Sequence, residues 1–188
     1  MLFPSLLLAF TVATRLKVSS GSKPTLLDLR KALSTPNKFW LTHRTYYALQ
    51  ICIYTLKREF EGNYYWFDQV YKEGTEAVKE QLVAALSDGR QGPEMTVYKT
   101  SGQEVPYTLR FWSWDEKCCV FTVPLQGKDQ CDKRVWNSRA AGETPKCDAE
   151  LKKICPTQEI YRIYSSDCAD FYMNLERERE AQLYSSEK

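Results

Sequence analysis

The 188-residue sequence contains one histidine, His43, and no C-x-x-C pair among its seven cysteines. A structural zinc site needs four closely spaced nitrogen or sulfur ligands, so zinc is a poor fit and no metal is expected. Gly-rich phosphate loops and nucleophile elbows are missing too, and His43 alone could serve only one acid–base constellation. Neither enzyme activity nor a cofactor is expected. Charge of one sign is also scarce: 26 basic against 24 acidic residues leave +2. That balance lacks the basic footprint of a nucleic-acid binder, and no polybasic membrane anchor occurs. Nucleic acid and membranes are therefore not expected partners. One long apolar run is present, "LFPSLLLAFTVA" at 2–13. It has the length of a signal-peptide core and falls short of the roughly 20 residues of a membrane helix. The expectation is a leader over 1–20, cleaved after Ala13 or Ser20, and a secreted, extracellular product.

What the chain does have is cysteine, at 52, 118, 119, 131, 147, 155 and 168. In a secreted chain these read as a disulfide framework with one thiol left over. Spacing alone does not choose the pairs. After "TLLDLRKALSTP" (25–36), whose Leu26, Leu29 and Leu33 fall at helical spacing, the texture becomes β. Short aromatic and β-branched runs follow: "KFWLTHRTYY", "LQICIYTL", "YYWFDQVY", "EMTVYKT", "VPYTLRFW", "CCVFTVP" and "KRVW". Turn signals such as Glu61-Gly62-Asn63, Asp88-Gly89 and Ser101-Gly102 separate several of them. Such spacing predicts an antiparallel sandwich or barrel, mainly β. The segment "EAVKEQLVAAL" (76–86) resists, because its composition favours helix. "CDAELKKIC" (147–155) reads as a helix and "EIYRIY" as a strand. The "ERERE" tail reads as a solvated, fraying end. In "WDEKCCVFTVP", Cys118 and Cys119 must point to opposite faces if this is a strand.

Helix, about eight strands, helix and short strand, with late cysteines, is an order that resembles a known family when particular strings are added. These are "DLRKAL", "WLTHRTY", Cys52 in the second strand, "KCCVFTVP", "QCDKRVW", "TPKC" and the terminal "DC" at Cys168. They resemble the salivary lipocalins of ticks, the histamine-binding protein family. The resemblance implies an eight-stranded antiparallel lipocalin barrel over 21–170, with a short N-terminal helix, a C-terminal helix packed outside and a charged tail over 171–188. It requires 76–86 to be a strand. It also implies the pairs Cys52–Cys168, Cys118–Cys147 and Cys131–Cys155, leaving Cys119 free. Alternation then turns Cys118 outward and Cys119 into the barrel. Trp40 is expected to plug the closed end.

The resemblance further implies a monomer that binds a small host mediator. The family's amine binders hold ammonium with inward carboxylates, since a buried cation needs compensating charge. Here Tyr46 matches the aromatic at the end of the first strand and Glu76 matches one glutamate. At other acid positions stand Leu49, Leu109, Cys119 and Arg134, with Trp136 retained. Arg44, two residues before Tyr46, should face inward. Tyr107, Leu109 and Phe111 should alternate onto one wall. A pocket of Arg44, Tyr46, Glu76, Tyr107, Leu109, Phe111, Cys119, Arg134 and Trp136 would suit an anionic amphiphile, a fatty acid or eicosanoid. The alternatives are an amine such as histamine or serotonin, or a host protein held by loop residues such as Trp112 and Trp114.

Overall fold

The structure, a computed structural model, describes residues 23–125 and 127–186. The expected leader over 1–20 and its cleavage sites lie outside them. Nine strands follow a first helix, α1 (Leu26–Leu33). They are β1 (Phe39–Arg44), β2 (Ile51–Glu61), β3 (Tyr64–Glu73), β4 (Glu76–Gly89), β5 (Gly92–Tyr98), β6 (Glu104–Ser113), β7 (Cys118–Leu125), β8 (Lys128–Trp136) and β9 (Tyr161–Arg162). Between β8 and β9 lies α2 (Pro145–Ile154), and α3 (Ser166–Ser186) ends the fold. Consecutive strands pair antiparallel from β2 to β8. β1 pairs with β8 on one side and with β2 on the other, which closes an eight-stranded barrel. The short β9 adds to the end of β1, at His43 and Arg44.

Local helix preference loses at β4. Leu82, Ala84 and Leu86 alternate into the core, and ten consecutive residues pair with β3. A period of two, with both neighbours present, outweighs the few tenths of a kcal/mol per residue that favour helix.

α1 closes one end of the barrel. Thr25 caps it, its hydroxyl accepting from the Asp28 amide while Asp28 accepts from Thr25. Leu29 and Leu33 enter the interior cluster, and Arg30 donates to Gly62 O and Asn63 Oδ1 on the β2–β3 turn. Outside the barrel, α2 packs on β6, β7 and β8. Its first free amides, those of Lys146 and Cys147, donate to the Glu116 carboxylate at 3.0–3.2 Å.

The three disulfides are the pairs that the resemblance implies, and each ties a strand to a helix or its cap. Cys52–Cys168 joins β2 to α3, Cys118–Cys147 joins β7 to α2, and Cys131–Cys155 joins β8 to the C-cap of α2. Cys119 is free and buried. Cys118 packs with α2 on the outer face, whereas Cys119 joins Phe121 and Leu109 inside.

Two expectations about the outer layer change. Trp40 does not plug the closed end. It points outward into a cluster with Tyr54, Tyr164 and Tyr172 beneath α3, and its Nε1 donates to Asn137 Oδ1 at 2.7 Å. Phe39, one residue earlier and so on the other face, fills the interior. The chain after 170 is not simply a solvated tail either. α3 runs through the 170/171 boundary, and Tyr172 is buried with its hydroxyl donating to Cys52 O at 2.9 Å.

Candidate functional site

The barrel interior divides into two unequal spaces. Below, Phe39, Tyr65, Phe67, Met95 and Leu33 of α1 enclose a gap of only about 10 Å³, about the room one water needs. Above, at the open end, lies a cup of about 380 Å³. Tyr107, Arg134, Gln69 and Lys99 border both spaces and form the partition. The cup is therefore the candidate ligand site, because the lower half is already packed.

Its wall begins at the end of β1. The segment after Arg44 is pinned by Thr45, whose hydroxyl donates to Gln130 Oε1 at 2.8 Å and accepts from the Cys131 amide at 2.7 Å. That anchors Tyr46 over the cup. Arg44 is 2% exposed. Its Nη2 donates to Ala48 O and, at 2.9 Å, to Gln50 O, and its guanidinium lies 5.2 Å from the Tyr46 ring centre. Arg44 Nε is buried without a hydrogen-bond partner among the described residues.

β8 is buried on both faces, by α2 outside and the barrel inside. Lys133 therefore turns out to Asp148 and Thr144, while Asp132 and Arg134 turn in. Arg134 Nη2 donates to Asp132 Oδ2 at 3.4 Å, and its guanidinium stands 5.8 Å from the Tyr107 ring centre. Arg134 Nε and Asp132 Oδ1 have no hydrogen-bond partner among the described residues. Burial raises the Asp132 carboxyl above the usual range, although Arg134, Tyr46 and Arg44 oppose the shift. Burial would lower Arg134, but Asp132 and the phenols of Tyr107 and Tyr46 hold it up. Tyr107 is pushed up to about 12 by burial and by Asp132. Burial also raises the Cys119 thiol well beyond its ordinary value, so it stays a neutral thiol, against the pull of nearby Arg134. Across the cup, Lys99 is lowered by burial and sits 3.9 Å from Glu80, which also accepts from Gln69 at 3.1 Å.

The sequence-expected residues therefore separate. Arg44, Tyr46, Tyr107 and Arg134 meet at the cup. Leu109 and Cys119 face inward but belong to the packed core, fully buried. Phe111 does not reach the interior. The β6–β7 register slips between Leu109 and Phe111, and this bulge turns Phe111 outward onto α2. Trp112 takes the inward face and packs against the core. Trp136 is inward but at the closed end, its Nε1 donating to Ala32 O of α1 at 2.8 Å. Glu76 is exposed at the first residue of β4, above the wall and opposite Glu73. The acids that matter were missed. Glu80 is in phase with Glu76 two alternations deeper, and Asp132 is in phase with Arg134. Period-two counting from either expected residue would have found them.

A search of the curated proteins finds no match. The sequence profile of the tick histamine-binding protein family matches residues 21–170. The chain belongs to that family. Solved structures agree on the fold. AM182 in its serotonin complex is 16% identical with a TM-score of 0.59, over 74% of this chain and 91% of that one. Japanin from Rhipicephalus appendiculatus, bound to cholesterol, is 12% identical with a TM-score of 0.53, over 70% and 95%. Insecticyanin from the tobacco hornworm Manduca sexta is 11% identical with a TM-score of 0.52, over 78% and 85%. This tick lipocalin shares a barrel with those proteins, and the family is one of small-ligand binders.

Proposed function

We propose that this chain is a secreted scavenger that binds a small host mediator stoichiometrically in the cup, and that the ligand is an anionic amphiphile. One observation carries the reading: Arg44 and Arg134 both line the cup with buried Nε donors that lack partners among the described residues. A ligand carboxylate can take such donors in charge-assisted contacts. An ammonium would meet Glu80 and Asp132 already facing Lys99 and Arg134. Arg44 adds a further cation.

The filled lower barrel changes the route of the apolar part. It cannot run along Phe111 and Trp136, so it lies across Leu41, Ile53 and Tyr71 at the upper wall. That favours a compact or bent chain. The three disulfides support an oxidising, extracellular setting.

Calorimetry of the mature protein against a fatty acid, an eicosanoid, their methyl esters, histamine and serotonin tests this. The acids should bind and their esters should bind about one to two decades more weakly, the worth of a charge-assisted bond. Arg134→Gln should erase most of the acid–ester difference. Equal binding of acid and ester overturns the carboxylate assignment, and tight binding of an amine overturns the anionic reading.

A further inference from the structure

At the closed end, away from the cup, three tryptophans pack together and a cation lies over two of them. Trp112 is the penultimate residue of β6, Trp114 sits in the β6–β7 turn and Trp136 ends β8. Their ring centres are 6.2 Å (Trp112–Trp114), 5.8 Å (Trp112–Trp136) and 5.7 Å (Trp114–Trp136) apart. Lys117 Nζ lies 3.1 Å from the Trp114 centre and 5.0 Å from that of Trp136. We infer that the faces of Trp114 and Trp136, backed by Trp112, form a second recognition site, an aromatic cage for a quaternary ammonium group, held shut by the protein's own Lys117.

The cage is built rather than incidental. Trp136 is fixed at both polar atoms, its indole N–H donating to Ala32 O at 2.8 Å and its amide to Lys117 O at 2.9 Å. Lys117 reaches the rings from φ +52°, a left-handed conformation that a side chain with a Cβ rarely adopts. Trp114 is 56% exposed, so one wall opens to solvent.

Its chemistry selects the kind of cation. The two acids that precede Lys117 in sequence are engaged elsewhere, Asp115 with Lys146 at 3.0 Å and Glu116 at the N-terminus of α2. A cation displacing Lys117 would meet π faces, with both of these carboxylates already engaged. A primary ammonium would leave N–H donors unmet there. A methylated ammonium has none to satisfy, and ring faces attract it directly.

The test is calorimetry of the full-length mature protein with choline and with its neutral carbon isostere, dimethylbutanol. Removing the internal competitor in Lys117→Ala should tighten choline about tenfold, and adding Trp114→Ala should reverse the gain. Lys117→Gly, which suits a positive φ, should behave as Lys117→Ala and guards against a misfolded turn. The isostere should bind at least about tenfold more weakly than choline. Carboxylate binding at the cup should stay unchanged in all variants, so failure here leaves the cup reading standing. Equal affinity for choline and isostere overturns the cage, as does a folded Lys117→Gly that binds choline no better than wild type.

Discussion

At the closed end of the barrel, Phe39, Tyr65 and Phe67 pack beneath α1 and leave about 10 Å³. At the open end Arg44, Tyr46, Glu80, Lys99 and Arg134 stand around about 380 Å³. Adjacent residues on a strand go to opposite faces, but residues two apart share a face at different depths. Depth decides their work. Deep inward residues bury apolar surface and hold the fold, whereas shallow ones keep unspent donors and charge. Between them lies the Asp132–Arg134 pair, whose desolvation is costly and whose members depend on each other.

The sharpest way to break this division is to damage the lower half alone. Phe39→Ala should cost roughly 3–5 kcal/mol of unfolding free energy in urea, with ligand affinity of the folded fraction unchanged. A parallel loss of affinity would mean that the lower half takes part in binding. Asp132→Asn should cost about 3 kcal/mol, since it leaves Arg134 buried without its counter-charge. The same change should tighten a carboxylate ligand by about a decade, because Arg134 becomes free to receive it. Weaker carboxylate binding would place Asp132, not the arginines, in contact with the ligand.

The outer face provides a pH-dependent contrast. Burial and Lys133 hold His43 down at about 4, with Asp148 opposing and Arg162 assisting. An unfolded histidine takes up its proton near pH 6.5. Between those values the unfolded chain binds more protons, so stability falls as pH drops from about 6.5 towards 4. His43→Gln should flatten that window by on the order of 1 kcal/mol after discounting for solvent screening. Thermal melts at stepped pH would show it, and an unchanged slope would assign the acid sensitivity to other groups. The smallest effect belongs to Glu76→Gln. At its exposed rim position it should shift stability by less than about 0.5 kcal/mol and leave binding untouched. A measurable loss of affinity would put Glu76 back in the site.

Much of this was legible because period two is a strong constraint. Two consecutive cysteines in a strand cannot share a face, so one must meet α2 and the other the core. Arg44 follows from Tyr46 by the same count. Counting failed where the strand departs from regular geometry. The bulge between Leu109 and Phe111 exchanges the roles of Phe111 and Trp112, and nothing in "TLRFW" marks it. It failed differently at Glu76, which is in phase but above the wall, since parity gives a face and not a depth.

The family resemblance said which residues face inward, whereas composition, alternation and cysteine positions by themselves determined a mainly β chain with a disulfide framework, opposite faces for Cys118 and Cys119, and a shared face for Arg44 and Tyr46. They are local properties, set by the pleat and by residue chemistry. Only the tertiary structure decided that the lower barrel is full, that Asp132 faces Arg134, and that Lys117 lies over Trp114 and Trp136. Those outcomes depend on side chains from strands far apart in the chain competing for the same volume, and volume is settled only when the barrel closes.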